Sequence, residues 1–249
     1  MSPRLPTWAR MSSHPLQRLR QAASVLSVAA GTVCALAGLA HAQVAPTPGE
    51  AAAYQGLHAA AQRGDLAAIQ KLATGQAALN ARDAAGRTPL HVATFARQHS
   101  AVRVLMQAGA DHAALEQGRY DAVTIAAVAD DEESLRVLLQ GGASARLLTS
   151  RYDGSALIAA AHLGHDGVVR QLIKAGAPLD HVNNLHWTAV IEAIVLGDGG
   201  TRHQATLKAL LDAGASTRLA DRSGATPLQL ARSRGYSAMV QMLLAAGAT

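Results

Sequence analysis

Apolar residues recur at helical spacing along the middle of the chain, and this pattern predicts pairs of short helices. In residues 86–111, GRTPLHVATFARQHSAVRVLMQAGAD, Pro89 suits the first turn of a helix, because an N–H at that position has no partner inside the helix. A second helix follows, in which Val102, Leu105 and Met106 lie at helical spacing. The stretch therefore predicts two helices joined by a turn.

This helix-turn-helix unit recurs along the chain. Each second helix closes on a Gly-Ala or Gly-Gly pair, whose first glycine can take the left-handed conformation that ends a helix. These glycines, 33, 34, 38 and 33 residues apart, are Gly109, Gly142, Gly176, Gly214 and Gly247. A small residue recurs in each first helix and lets neighbouring helices approach closely: Ala60, Ala93, Ala126, Ala160, Ala193 and Ala231. One unit cannot bury its own apolar face, so the period predicts a stack of repeats.

The repeated unit resembles the ankyrin repeat. The segments GRTPLHVA at Gly86 and GATPLQLA at Gly224 nearly reproduce the turn and first helix of that family. The segments GLHAAAQRGDLAAIQKL from Gly56 and SALIAAAHLGHDGVVRQLIKAGAPLD from Ser155 supply the rest of the unit. The resemblance implies an all-α solenoid of about six repeats over residues 51–249, with short hairpin-like turns.

Two repeats depart from the family pattern. Repeat three has Asp130 where the helix–helix turn of the family usually has glycine. Repeat five carries about five extra residues around GDGGTRHQ, which starts at Gly197, and we place them in the same turn. Each repeat contacts only its neighbours, so neither departure threatens the fold. The resemblance also implies that His58 and His91 form hydrogen bonds between repeats.

The first 42 residues carry the pattern of a secretory signal peptide. Their basic residues, with no acid among them, are Arg4, Arg10, Arg18 and Arg20. An uncharged apolar stretch follows over residues 22–40, and the small-x-small pattern Ala40-His41-Ala42 predicts cleavage after Ala42. The true start is Met1 or Met11, since Met11 begins a more typical signal. Residues 43–50 are expected to be a linker that contains Pro and Ala.

Export predicts a periplasmic or secreted protein. The alternative is an uncleaved membrane anchor, since the apolar run approaches the ~20 residues that span a bilayer. Its many Ala, Gly, Ser and Thr residues favour cleavage. Cys34, the single cysteine, lies in this run, and GTVC lacks the leucine usually found three residues before a lipidated cysteine. A mature chain that starts after Ala42 would have no disulfide.

The charge balance argues against a nucleic-acid partner. The whole chain has 22 Lys and Arg against 17 Asp and Glu, a net charge of +5. Without residues 1–42, 18 basic and 17 acidic residues remain. Nucleic-acid binding requires a basic face, which this balance does not provide. A membrane would be contacted only through the leader, and only if the leader is not cleaved.

No cluster of residues predicts catalysis, a metal or a cofactor. His162 and His165 could offer two metal ligands, but a site needs three or four and no third is suggested. The acids DDEE from Asp130 open a second helix, where they favour the positive end of the helix dipole. No serine has a nucleophile-elbow context, and the glycine run at Gly197 lacks the lysine and preceding strand of a phosphate loop. We therefore expect a protein that is not an enzyme.

The repeat positions point instead to a recognition surface. In the ankyrin family the ligand-facing residues are the turn before TPLH and the two residues after the small pair of the first helix, on the concave side. The turns of this chain hold Arg, Tyr and Trp, the types enriched in binding hot spots, and the middle repeats hold apolar pairs. The predicted partner-binding residues are Arg87, Phe95, Tyr120, Val128, Tyr152, His162, Leu163, Trp187, Val195, Leu196 and Arg222. The alternative is ordinary packing, in which the turns shield the apolar pairs.

Three functions stay open on the sequence. The first is an adaptor or stabiliser that binds a protein partner outside the cytoplasm through repeats two to five. The second is an immunity-type inhibitor of a delivered toxin. The third is a module that binds a small ligand or a metal. Because fold does not determine target, the sequence predicts a protein partner without identifying it.

Overall fold

The computed structural model describes residues 43–249, and the predicted leader with its cleavage residues Ala40 and Ala42 lies outside the described residues.

The first helix of a repeat begins where the sequence provides a cap. Thr88 and Thr226 each accept a hydrogen bond from the backbone N–H three residues later, and a proline follows each of them. These caps satisfy N–H groups that would otherwise have no partner at the start of the helix.

Fourteen helices and one two-stranded hairpin form within the described residues. The helices of the first half are α1 (Pro48–Ala53), α2 (Gly56–Arg63), α3 (Leu66–Leu72), α4 (Gln76–Leu79), α5 (Pro89–Phe95), α6 (His99–Gln107), α7 (Ala122–Val128) and α8 (Glu132–Gln140). The hairpin and the remaining helices are β1 (Leu148–Thr149), β2 (Gly154–Ser155), α9 (Ala156–Leu163), α10 (Asp166–Lys174), α11 (Ala189–Val195), α12 (Thr201–Asp212), α13 (Pro227–Ser233) and α14 (Ser237–Ala245).

The helices pair into six repeats that stack in two layers. In the first-helix layer, α2, α5, α7, α9, α11 and α13 each contact the next in order. In the second-helix layer, α3, α6, α8, α10, α12 and α14 do the same. The predicted all-α solenoid of helix-turn-helix repeats is confirmed. No helix among residues 43–249 combines the length and apolarity needed to cross a bilayer.

The core follows the stack from one repeat to the next. The small residues of the first helices are all fully buried: Ala60, Ala93, Ala126, Ala160, Ala193 and Ala231. In α6, Val102 and Leu105 are fully buried, and Met106 packs against the core while partly exposed. Burial of apolar area contributes about 25 cal/mol per Å², so the joins between repeats stabilise the fold.

The two histidines of the LH positions join successive repeats. Nε2 of His58 lies 3.0 Å from the carbonyl oxygen of Arg87. Nε2 of His91 lies 3.0 Å from the carbonyl oxygen of Ala114, while its Nδ1 accepts from the backbone N–H of Thr88 at 3.0 Å. Burial lowers the pKa of His91 to about 4, so this imidazole is neutral at pH 7. The structural role implied for both side chains is confirmed.

The segment expected to be a linker, residues 43–50, instead contains the start of α1. Thr47 and Glu50 form a capping box: the Thr47 N–H donates to Oε2 of Glu50 at 2.7 Å, and the Glu50 N–H donates to Oγ1 of Thr47 at 3.2 Å. Arg87 fixes the segment by donating to Oε1 of Glu50 at 2.8 Å and to the carbonyl oxygen of Val44 at 3.2 Å. The last three residues of the predicted linker are therefore helical, and the segment contacts the turn of repeat two.

The two divergent repeats keep the helix pair. Asp130, in place of the usual glycine, has φ 52°, so it takes the left-handed conformation that the turn requires. In repeat five the extra residues are divided between the turn and the second helix, because α12 has 12 residues where α6, α8, α10 and α14 have nine. Only part of the insertion therefore lies in the turn, whereas the prediction from the sequence put all of the extra residues there. Repeat four adds the β1–β2 hairpin, which pairs Leu148 with Ser155 and Thr149 with Gly154.

Candidate partner-binding face

Each first helix ends in a residue pair that follows its two small core residues. We call these pairs the groove row: Gln62-Arg63, Phe95-Ala96, Val128-Ala129, His162-Leu163, Val195-Leu196 and Ser233-Arg234. In repeats two to five every member is half-buried, whereas Arg63, Ser233 and Arg234 at the two ends are exposed. The middle of the row is mainly apolar and the ends are polar.

The apolar members of the groove row are separate from the core. The core cluster of the described residues, and the partly buried side chains packed against it, do not include Phe95, Val128, Leu163, Val195 or Leu196. Each of these side chains is half-buried, so part of its apolar surface meets water. Covering such surface is favourable, and apolar side chains at equivalent positions of successive repeats form a patch suited to a partner.

Three of the turn residues predicted to bind a partner are accessible. Tyr152 and Trp187 are half-buried, and Arg222 is exposed. Arg222 donates from Nη2 to the carbonyl oxygen of Asn184 at 2.8 Å, a bond that joins the turns of repeats five and six. These residues stay candidates for partner contact beside the groove row.

Two of the predicted partner-binding residues lie in the interior. Arg87 is 1% exposed, and its Nε donates to Oδ2 of Asp83 at 2.6 Å. The segment that contains Val44 and Glu50 covers the guanidinium, which the sequence analysis had expected to face a partner. Tyr120 is 6% exposed, and burial raises the pKa of its hydroxyl. The expectation that these two side chains are available to a partner was therefore wrong.

One side chain holds each turn by accepting backbone N–H groups two and four residues later. These anchors are Asp83, Glu116, Ser150, Asn183 and Asp221. Asn183 differs from the others, because its Nδ2 also donates to Oε1 of Glu192 at 3.1 Å. An amide both accepts and donates, whereas the carboxylates at three of the equivalent positions can only accept.

Glu192 is a buried acid that the sequence analysis did not identify. It is 4% exposed, and its Oε2 has no hydrogen-bond partner among the described residues. Burial raises the pKa of Glu192 to about 8, although the bond from Asn183 acts in the opposite direction. The signal that could have found it is a single acid inside the apolar helix AVIEAIV.

His162 faces this acid from the neighbouring repeat. Its Nδ1 lies 3.5 Å from Oε2 of Glu192, and its side chain is 18% exposed. Burial, together with smaller effects of His203 and His165, lowers the pKa of His162 to about 4. For each group taken separately, burial favours the neutral form at pH 7. The carboxyl O–H of Glu192 can then be directed at Nδ1 of His162.

The other histidines near this pair form hydrogen bonds with backbone carbonyl groups. Nδ1 of His165 lies 2.9 Å from the carbonyl oxygen of Ala127, and Nε2 of His203 lies 3.0 Å from the carbonyl oxygen of His162. Within residues 43–249, no three His, Cys, Asp or Glu side chains are grouped so that they could hold a metal ion. The side chains around His162 and Glu192 are therefore suited to hydrogen bonding.

The second-helix layer carries an open cleft between α10 and α12. Its volume is about 430 Å³, and charged side chains line it together with alanines and Ile173: Arg170, Lys174, Lys208 and Asp212. Arg170, Lys208 and Asp212 already take part in ion pairs within their own helices. The cleft lies on the layer that does not carry the groove row.

A comparison with protein families identifies the repeat. The family model described as ankyrin repeats (3 copies) matches residues 31–116, 57–147, 123–216 and 157–249. The chain belongs to the ankyrin repeat family. Ankyrin repeats mediate protein–protein interaction, and ankyrin repeat proteins are generally not enzymes.

Individual ankyrin proteins resemble the chain to different degrees. The Escherichia coli (strain K12) protein YahD, named as an ankyrin repeat protein, is 43% identical over 100 residues, which are 40% of this chain and 50% of YahD. The chain therefore matches half of the length of that relative. The crystal structure of an ankyrin repeat domain from Acinetobacter baumannii AYE is 44% identical with a TM-score of 0.73, over 78% of this chain and 98% of that domain.

A third similar structure comes from a complex. It contains the predatory endopeptidase Bd0816 of Bdellovibrio bacteriovorus and the immunity protein Bd3460, and one of its chains matches with a TM-score of 0.64. The identity is 22%, over 77% of this chain and 98% of the matched chain. At that identity the likeness shows a common fold.

Proposed function

We propose that this ankyrin protein binds a protein partner through the groove row of repeats two to five. The observation that carries the proposal is the position of Phe95, Val128, Leu163, Val195 and Leu196. They are half-buried apolar side chains at equivalent repeat positions, and they lie outside the core cluster of the described residues. A partner that covered them would remove apolar surface from water at little cost to the fold.

We place the partner outside the cytoplasm and assign the protein the role of an adaptor or stabiliser. The support is the leader pattern of residues 1–42, with its arginines, its uncharged stretch and the cleavage motif that ends at Ala42. A solenoid suits this role, because an extended row of repeats offers a long contact surface. The protein acts by binding and has no catalytic step of its own.

The immunity-type alternative uses the same face with a different class of partner. The similar structure that includes an immunity protein and an endopeptidase motivates it, although that likeness rests on the fold. The two roles differ in what is bound: a resident enzyme of the envelope for an adaptor, or an incoming toxin for an inhibitor. A toxin gene beside the gene of this protein would favour the inhibitor.

Affinity capture from the cell envelope followed by mass spectrometry tests the proposal. Wild-type protein is compared with Phe95→Ala in the groove row and with Leu244→Ala as a matched control. Leu244 is 40% exposed and lies in α14 of the second-helix layer. A partner retained by wild type and Leu244→Ala but lost with Phe95→Ala supports the groove row. A partner retained equally by all three would overturn it.

A further inference from the structure

The Asn183–Glu192–His162 chain of polar groups ends in the groove row. Asn183 anchors the turn of repeat five and donates to Glu192 at 3.1 Å. The second oxygen of Glu192 is buried without a hydrogen-bond partner and lies 3.5 Å from Nδ1 of His162. His162 belongs to the groove row itself. A buried polar group without a partner is costly, so this arrangement is expected to have a use.

The position of Oε2 of Glu192, 3.5 Å from Nδ1 of His162, bears on which nitrogen of the ring carries a proton. A protonated Glu192 that moved slightly closer would donate its O–H to Nδ1, and the neutral imidazole would then hold its own proton on Nε2. If that proton moves to the ring, the imidazolium carries N–H on both nitrogens. In either state Nε2 is a donor. Nε2 becomes an acceptor only when the pair loses the proton, because the carboxylate then holds Nδ1–H.

The surroundings of His162 suit an acidic ligand. Within residues 43–249, Nε2 of His162 has no hydrogen-bond acceptor, and the side chain is 18% exposed. Beside it are the half-buried apolar side chains of Leu163 and Val195. At the end of the row Arg232 and Arg234 are exposed, and neither forms an ion pair with another described residue.

The remaining titratable or charged groups around His162 come from the elements packed on its helix. They are Glu192 of α11, His165 and Asp130 in the helix–helix turns, and Arg202 and His203 of α12. Oδ2 of Asp130 is 2.6 Å from Nη2 of Arg202, and Nδ1 of His203 is 2.9 Å from Oδ1 of Asp198. Both carboxylates therefore have a cationic or imidazole partner, whereas Nε2 of His162 has no acceptor among the described residues.

We propose that His162 donates from Nε2 to an acidic side chain of the partner, and that Asn183 and Glu192 position it as the donor. The partner segment would place a carboxylate between apolar residues, which cover Leu163, Val195 and Leu196. This inference rests on the proposed function, since it names the chemistry of the partner that the groove row binds. Glu192 and Asn183 are positioning residues, because they act through His162.

The proton count predicts a pH dependence for this contact. Below the pH at which Glu192 ionises, Nε2 carries a proton and favours a carboxylate. The pKa of Glu192, raised to about 8 by burial, puts the change above neutral pH. At pH 9 the bare Nε2 would accept, and a carboxylate would lose its donor.

Three tripeptides and two pH values test the proposal. The probes are N-acetyl-Leu-Glu-Leu-amide and its versions with Gln or Lys in the centre, titrated while the His162 ring signals are followed by NMR. At pH 6.5 the Glu peptide should bind about tenfold more tightly than the Gln peptide, the usual effect of a hydrogen bond to a charged group. At pH 9 this preference should disappear, and the 15N signal of Nε2 should change from a protonated to an unprotonated nitrogen.

Matched variants separate a positioning role from a structural one. Glu192→Gln should keep the preference at both pH values, since the amide can accept from Asn183 and donate to Nδ1 without titrating. His162→Phe should lose the preference. His99→Phe, which removes an imidazole 3.0 Å from Asp131 in another part of the fold, should keep it. Three results would each overturn the proposal. They are loss of the preference in Glu192→Gln at pH 6.5, equal binding of the Glu and Gln peptides to wild type, and tightest binding of the Lys peptide.

The failure of this inference can be told from failure of the proposed function. If a captured partner requires Phe95 while the Glu peptide is not preferred, only the role of His162 is lost. If Phe95 is dispensable for capture, the groove row is not the binding face, whatever the peptides show.

Discussion

Nη2 of Arg87 lies 2.8 Å from Oε1 of Glu50, which is 37 residues earlier in the chain. The same guanidinium, 1% exposed, donates to Asp83 at 2.6 Å, and Asp83 accepts a hydrogen bond from the Tyr54 hydroxyl at 2.6 Å. The pKa of Asp83 is lowered by its hydrogen bonds to Tyr54 and Arg87, although its burial acts against them. This cluster joins the segment before the first repeat to the turn of the second repeat.

Arg87→Ala should destabilise the protein strongly. Without the guanidinium, Asp83, which is 10% exposed, keeps hydrogen-bond donors but loses its cation, so we expect the free energy of unfolding to fall by about 3 kcal/mol. Urea denaturation followed by circular dichroism measures it. Arg103→Ala is the control, because that side chain is 48% exposed and its ion pair with Glu133 is 3.9 Å long. An effect of Arg87→Ala as small as that of the control would contradict the account.

The fold could be predicted from the sequence because its signals are local. Pro89 in the TPLH turn, Ala160 in a first helix and the glycine that ends each second helix recur with the period of the repeat. Arg87 could not be placed in this way, because its partners Glu50 and Val44 are brought to it by the packing of α1.

In the candidate site, too, the features that follow from repeat position could be predicted, and the contacts between repeats could not. The half-buried state of Phe95 and Leu163 agrees with their repeat positions. Glu192 and His162 come from different repeats, and the period of either repeat alone gives no sign that their side chains meet. Their contact depends on how adjacent first helices pack.

Overpacking should affect a central repeat more than the last one. Ala160 and Ala231 are both fully buried at equivalent positions of repeats four and six. Ala160→Leu should lower the stability of the whole stack by roughly 1–3 kcal/mol, because both neighbours depend on that repeat. Ala231→Leu should affect mainly the terminal repeat. Urea midpoints compare the two, and small, equal shifts would count against a nearest-neighbour stack.

Stability should decrease as the pH rises from about 6.5 to about 8. The folded protein keeps the proton of Glu192 up to a pKa of about 8, whereas the unfolded chain loses it near 4.5. His162 and His91 act in the opposite sense, since their pKa values fall from 6.5 to about 4, and the stability they contribute is lost as the pH falls below about 7. At pH 6.5 the unfolded histidines are half protonated, so their contribution still grows by about 0.8 kcal/mol up to pH 8. It offsets part of the roughly 1.6 kcal/mol lost through Glu192, and a net loss of about 1 kcal/mol is expected by pH 8.

Glu192→Gln isolates this effect in denaturation experiments at several pH values. The variant should show no decrease between pH 6.5 and pH 8, because the amide does not titrate. Glu133→Gln, at a carboxylate about 40% exposed in α8, should decrease as the wild type does. A wild-type curve that is flat in this range would show that Glu192 is not buried as a neutral acid.

The leader should be removed after Ala42 when the protein is exported. The basis is the small-x-small pattern that ends at this residue, after a segment with four arginines and no acid. N-terminal sequencing of the exported protein should begin at Gln43. A chain that still begins at Met1 or Met11 would indicate an anchored protein.

The most direct test of the central claim is the affinity of Phe95→Ala for the captured partner. Because the side chain is half-buried and outside the core cluster of the described residues, its removal should change the urea midpoint little. Binding measured by titration calorimetry should weaken by about 1–3 kcal/mol if Phe95 is a hot spot. The account predicts a folded variant with weakened binding. Unchanged affinity, or a variant that unfolds because Phe95 belongs to the core, would contradict it.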